Sequence, residues 1–95
     1  MNREELMRQA RQRLELIQQD LDKLEMRAQH ASEDVRAQAE AQLKRARENA
    51  DEMRERLSEI QEAAEERLHE LRDRVEQLGD SARDAVDRFK QKLGL

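Results

Sequence analysis

The sequence predicts an all-α protein organised around one long amphipathic helix, and three observations lead to this fold class. The chain of 95 residues is 44% charged and has one aromatic residue, a composition typical of long helices and coiled coils. Residues 3–78 contain no proline and no glycine, so nothing in them forces a helix to stop. Finally, apolar residues recur at helical spacing along nearly the whole chain.

These recurring residues form the apolar stripe, which runs from Leu14 to Leu93 in steps of three or four residues. Its 22 steps cover 79 residues, a mean of about 3.6, which is the α-helical repeat. A disordered chain, which the high charge alone would allow, has no reason to keep this phase. We expect the larger stripe residues to form a helix-packing interface: Leu14, Ile17, Leu21, Leu24, Val35, Leu43, Met53, Leu57, Ile60, Leu68, Leu71, Val75, Leu78, Val86, Phe89 and Leu93.

The first predicted element is a helix from residue 2 or 3 to residue 78. Asn2 can cap its start, and Glu4 and Glu5 suit the positive end of the helix dipole. Without interruption this helix would be roughly 115 Å long, at ~1.5 Å per residue. A single helix of this kind cannot cover its own apolar face, so the prediction requires partner helices.

Two positions inside this helix could instead hold a turn. Ser32 could cap a new helix with Glu33 and Asp34 in its first turn, and Asn49 stands three residues before Glu52, at capping-box spacing. A turn near Asn49 would give an antiparallel helical hairpin. Because the stripe passes both positions without a phase slip and neither holds glycine or proline, we predict a continuous helix, with the Asn49 hairpin as the alternative.

Gly79-Asp80 is the predicted end of the long helix, because glycine is common just after a helix C-terminus. Ser81, with Asp84 three residues on, resembles the start of a short amphipathic helix over 81–93. Since the stripe keeps its phase across Gly79, either a kink or a full turn fits here. The chain is thus expected to form one helical unit over 1–95.

The residue types that carry chemistry are scattered. Glu66 and His69 form an E-x-x-H, which is half of a di-iron carboxylate signature, but no second copy follows. His30 and Asp34 could supply two metal ligands, which do not make a site. With no cysteine and no glycine-rich phosphate loop, the sequence predicts no enzyme, no metal site and no cofactor.

The charge pattern limits the partners. The net charge is −4 with the two signs interleaved, and the basic patch Lys44–Arg47 has no aromatic residue nearby to stack on a base, so we do not expect nucleic-acid binding. No segment resembles a signal peptide or reaches the ~18 apolar residues of a membrane span, and we expect a soluble, cytoplasmic protein. The helix 81–93 carries one aromatic, and 81–95 has more basic than acidic residues, which leaves membrane-surface binding as an alternative.

Three segments carry a resemblance to a known family: Leu21–Glu25, Ala41–Arg47 and Met53–Leu57. In their layout, the sequence resembles small bacterial coiled-coil proteins that are loosely described as stress-response proteins. The resemblance implies a helical protein without catalytic residues. We therefore predict a non-catalytic interaction or scaffold protein that forms homo-oligomers, or binds another helical protein, through the stripe; the alternative is a lipid-surface-binding helical protein.

Overall fold

A computed structural model describes residues 2–95 and shows three α-helices packed side by side. Helix α1 covers Arg3–Gln29, α2 covers Glu33–Glu62 and α3 covers Leu68–Lys92, with a 3-10 turn at Glu65–Arg67 before α3. Successive helices run antiparallel, so that α1 and α3 point the same way. The resulting rod measures 49 × 17 × 16 Å. The all-α prediction is confirmed.

The prediction of one continuous helix over 3–78 is wrong, because the chain turns twice. The first turn occupies residues 30–32, and Ser32 caps α2 by accepting a hydrogen bond from the Val35 N–H at 3.3 Å. The second turn begins at Ala63 and Ala64, whose ψ angles of 149° and 152° are extended. Folding back covers the apolar stripe with the chain's own helices, which a lone straight rod cannot do.

Neither the alternative turn at Asn49 nor a full turn at Gly79-Asp80 is present. Asn49 lies in the middle of α2, so there is no hairpin turn at that position. Helix α3 continues through Gly79 and Asp80, and the predicted short helix 81–93 corresponds to its second half. Gly79 is buried and has no positive φ, which is the opposite of what a C-terminal capping glycine shows.

The core runs along the axis of the rod and is apolar throughout the described residues. Twenty-two hydrophobic residues are buried, and no polar or charged residue among those described is buried with them. The largest fully buried side chains are Phe89, Met53, Ile60, Leu68 and Val86. The interface between α2 and α3 is the most extensive of the three, and α1 makes smaller interfaces with both.

Alanines line part of the core between α2 and α3. Ala46, Ala82 and Ala85 are completely buried, and Ala39 is 1% exposed. Two polar contacts that join this part of α2 to α3, Arg45 to Asp84 and Asn49 to Ser81, place Ala46 and Ala82 in the same stretch of the interface. Small side chains let the two helix backbones come close, so this stretch has little room for a larger residue.

We expect Ala46→Leu to lower the free energy of unfolding by about 1–3 kcal/mol, because the added methylenes must force α2 and α3 apart. Urea denaturation measures the change. Ala41→Leu is the matched control, since Ala41 is exposed on the same helix and the same side chain there should change stability by less than about 0.5 kcal/mol. Equal effects of the two substitutions would contradict the close packing described here.

Candidate functional site

The apolar stripe is the candidate interaction surface, and the structure places it inside the bundle. Fourteen of its sixteen predicted interface residues are buried, while Val35 and Leu93 are partly buried. Four lie in α1 (Leu14, Ile17, Leu21, Leu24), five in α2 (Val35, Leu43, Met53, Leu57, Ile60), six in α3 (Leu68, Leu71, Val75, Leu78, Val86, Phe89), and Leu93 directly follows α3. The stripe can therefore reach another molecule only when a helix leaves the bundle.

Three buried hydrophobic residues lie outside the apolar stripe, whose smaller members are alanines. Leu6 and Ala10 extend the core of α1 towards its N-terminus, with exposed fractions of 7% and 4%. Leu6, Ala10 and Leu14 follow one another at intervals of four residues, which was a usable signal. Ala85 is fully buried beside Val86 and widens the apolar face of α3. The spacing of Ala85 from Ala82 and Phe89 places it on the apolar face of the predicted helix 81–93, although alanine is a weak signal in a sequence this rich in it.

The turn between α1 and α2 is closed by an arginine. Arg36 donates from Nε to the carbonyl oxygen of Ala28 at 3.3 Å and from Nη2 to that of Gln29 at 3.0 Å. These carbonyls belong to the last turn of α1, which lacks its i+4 helical N–H donors; that of Ala28 also accepts from the Ala31 N–H at 3.1 Å. Arg36 lies at the start of α2, so one side chain fastens the end of one helix to the beginning of the next. The sequence contained no signal for this role.

Ion pairs follow the edges where the helices meet. They join α1 to α3, α1 to α2 and α2 to α3, and all of their side chains remain at least a quarter exposed. Exposed pairs contribute only about 0–1 kcal/mol each, so they align the helices more than they stabilise them. The pairs are Arg13 with Asp80, Asp20 with Arg83, Glu25 with Arg47, Arg45 with Asp84, and Glu52 with Arg74.

Ser81 accepts two hydrogen bonds from α2 rather than capping a helix. Asn49 donates from Nδ2 at 2.8 Å and Arg45 donates from Nη2 at 3.0 Å to the Ser81 hydroxyl. Ser81, a predicted cap, and Asn49, a cap only in the alternative hairpin, are therefore partners across the α2–α3 interface. Capping residues and interhelical hydrogen-bonding residues share the same short polar side chains, so the sequence could not tell the two roles apart.

Gly79 provides space for a side chain of α1. A Cβ atom at this position would lie 2.5 Å from Cζ of Arg13 and 2.6 Å from its Nε, which is closer than atoms can approach. The guanidinium group of Arg13 thus lies against the bare backbone of α3, where it pairs with Asp80. The glycine in this helix results from a contact between residues far apart in the sequence, not from a local turn.

We expect Gly79→Ala to raise the free energy of unfolding by up to about 1 kcal/mol, the gain for replacing a mid-helix glycine by alanine. The new methyl group displaces only the end of the Arg13 side chain and costs an exposed ion pair, about 0–1 kcal/mol. In an Arg13→Ala background the full gain should appear. Urea denaturation of the unchanged protein, Gly79→Ala, Arg13→Ala and the double variant measures the effect of alanine at position 79 in both backgrounds. If alanine destabilises the protein in both backgrounds, α3 does not pass through Gly79 as described.

The side chains considered for chemistry are not brought together. Glu66 and His69 are exposed at the 3-10 turn and the start of α3, and His30 and Asp34 are exposed at the opposite end of the rod. Within residues 2–95, no three potential metal ligands cluster. In the basic patch, Arg45 and Arg47 form ion pairs with neighbouring helices. The apolar stripe is therefore the basis for the proposed function.

Comparison with protein-family models, curated proteins and solved structures finds no match for this chain. The resemblance to small bacterial stress-response proteins therefore stays a prediction. None of the helices described over residues 2–95 has the combination of length and apolarity needed to cross a bilayer.

Proposed function

We propose that the protein is a non-catalytic, cytoplasmic helical interaction protein that self-associates through its apolar stripe. One observation supports this proposal above others: the stripe keeps its helical phase from Leu14 to Leu93 although the chain turns twice. A turn frees the next helix to rotate about its axis, so a closed bundle does not require this continuity. An uninterrupted helix that packs against other helices does require it.

The energies favour the stripe over the polar surface as the source of association. Burying one leucine side chain contributes about 1.5–3 kcal/mol, whereas an exposed ion pair contributes about 0–1 kcal/mol. Because the stripe is already buried within the chain, self-association must exchange helices rather than add a new interface. A helix that leaves one bundle and enters another recovers the same apolar contacts. The free-energy cost of the exchange is therefore limited to the turns whose conformation changes.

Sedimentation equilibrium with circular dichroism tests the proposal, with samples refolded from denaturant at low and high protein concentration. We expect a monomer in the dilute sample and a dimer in the concentrated one, with equal helical content, since exchanged helices remain helices. A protein that stays monomeric in every sample would contradict self-association.

A matched control separates the stripe from the exposed apolar residues. Leu16 and Met26 are 61% and 66% exposed on α1 and do not belong to the stripe. We expect Leu16→Glu combined with Met26→Glu to leave dimer formation unchanged, because these side chains make no core contact. Loss of the dimer in this variant would assign the association to the outer surface of α1 instead.

Binding to a lipid surface is a second candidate, favoured by the C-terminal end of α3. Helix α3 is the most amphipathic of the three, and the exposed Leu95 follows Lys90 and Lys92 closely. Flotation with vesicles rich in anionic lipid at low salt tests this function. Binding that disappears on Lys90→Glu with Lys92→Glu would support it, and the absence of flotation by the unchanged protein would exclude it.

A further inference from the structure

We infer that two copies of this chain exchange helix α1: the turn at residues 30–32 straightens, α1 and α2 join into one helix over 3–62, and α1 packs on the α2 and α3 of the second copy. The inference rests on the proposed self-association and specifies its partner, its hinge and its moving element. Four features of the described residues lead to it.

The first feature is the register of the core across the turn. Ala28 is the last buried residue of α1 and Ala39 is the first of α2, eleven residues later. Eleven residues make three α-helical turns to within about 20°. In a continuous helix the apolar faces of α1 and α2 would therefore lie on one side, and each face could meet the same type of partner as in the closed bundle.

The second feature is the backbone of the turn. Ser32 has a φ of −61°, which is already helical, and only its ψ of 160° is extended. His30 has a φ of −97° and a ψ of −1°, which lies in the right-handed helical region. The turn contains no glycine and no proline. No residue of the turn is in a left-handed conformation and none is a helix breaker, so the turn can convert into helix by ordinary changes of φ and ψ.

The third feature is Arg36. In a continuous helix, the carbonyl oxygens of Ala28 and Gln29 would accept hydrogen bonds from the backbone N–H groups of Ser32 and Glu33, four residues on. In the closed bundle, Arg36 donates to both carbonyls, and the Ala31 N–H also donates to that of Ala28. The Arg36 side chain and the continuous helix thus compete for the same two acceptors, so Arg36 favours the closed monomer.

The fourth feature decides which helix moves. Releasing α3 would open the α2–α3 interface, which is the most extensive in the bundle, whereas releasing α1 leaves that interface intact. The turn before α3 also holds two extended residues, Ala63 and Ala64, and a 3-10 segment, so its straightening changes more of the backbone. Helix α1 therefore leaves more readily than α3.

Two proline variants test the hinge. Proline fits the first position of a helix and fits an extended residue before it, but it breaks a helix interior. Glu33→Pro should leave the monomer folded and lower the dimer association constant by at least about tenfold, since residue 33 would lie inside the continuous helix. Glu65→Pro, the matched change at the second turn, should leave dimer formation as it is in the unchanged protein.

Substitution of Arg36 provides a change in the opposite direction. Arg36→Ala removes the side-chain donor from the two carbonyls and should raise the dimer association constant by on the order of tenfold, because both copies lose the competing hydrogen bonds. Lys44→Ala, which removes an exposed cation elsewhere on α2, should leave it unchanged. Equal dimer formation in the Arg36→Ala and Lys44→Ala variants would overturn the role of Arg36 and with it the inferred opening.

A distance measurement distinguishes the continuous helix directly. Spin labels at Gln19→Cys and Asp51→Cys would lie on neighbouring helices in the monomer and roughly 48 Å apart along one continuous helix, at ~1.5 Å per residue. Dimers refolded with a large excess of unlabelled chain report the distance within one chain, and the long distance is expected. A dimer that keeps the short distance, or that survives Glu33→Pro, would overturn the inference while self-association stands. Absence of any dimer would overturn both.

Discussion

Met53→Glu is expected to destabilise the bundle strongly. Met53 is completely buried in α2, and no charged or polar residue is buried among the described residues that surround the core. A carboxylate at this position would have no buried partner, and an unpaired buried charge costs about 3–5 kcal/mol. A protein of this type has a total stability of about 5–15 kcal/mol, so the substitution removes much of it. Loss of helical circular dichroism at a lower temperature or urea concentration measures the effect.

Two further substitutions show whether the effect of Met53→Glu arises from burial. Ser58→Glu puts the same side chain on an exposed position of α2 and should change the free energy of unfolding by less than about 0.5 kcal/mol. Met53→Leu keeps the volume and the apolar character and should cost less than about 1.5 kcal/mol. If Met53→Glu melted together with Ser58→Glu, the stripe would not face the core.

Phe89→Ala is expected to destabilise the protein by about 3–5 kcal/mol. Phe89 is 1% exposed and is the only aromatic residue in the chain, so its removal leaves the largest cavity that a single truncation can make here. Because α3 ends three residues later, the last helical turn can partly collapse into the cavity, and the lower end of the range is the expected value. Urea denaturation gives the change from the midpoint at constant slope.

Phe89→Leu serves as the matched control, since it fills most of the cavity and should cost less than about 1.5 kcal/mol. Arg88→Ala, on the adjacent exposed position, removes only a surface ion pair with Asp84. The order of stability should be Arg88→Ala, then Phe89→Leu, then Phe89→Ala. If Phe89→Ala were more stable than Arg88→Ala, the assignment of the buried face of α3 would be wrong.

The sequence was sufficient to predict the helical class and the buried face, because both follow from a period of 3.6 residues that persists in any helical packing. It was not sufficient to predict the two turns. Ser32 is a good N-cap residue, but serine also occurs inside helices, so it does not by itself predict a turn. Ala63 and Ala64 are good helix formers with no turn character at all. An apolar face shows only that it must be covered, and it is covered equally by the chain's own helices or by those of another chain.

The roles of Gly79, Arg36 and Ser81 could not be predicted for a related reason. Each depends on a residue in another helix or beyond a turn: Gly79 on Arg13, Arg36 on the carbonyls of α1, and Ser81 on Asn49. Local rules assign glycine and serine to helix ends, and these rules fail where tertiary packing gives the same residues another partner. Such roles can be predicted only once it is known which helices are neighbours.

The uniformly apolar core has a consequence for fidelity of pairing. No polar or charged residue among those described is buried in it, so the core offers no polar contact that would select one helix or one alignment over another. Discrimination depends on the ion pairs along the edges of the helices, such as Asp20 with Arg83. These ion pairs weaken as ionic strength rises, whereas the apolar contacts persist. At high salt concentration, the specificity of helix pairing should therefore fall before the stability of the fold does.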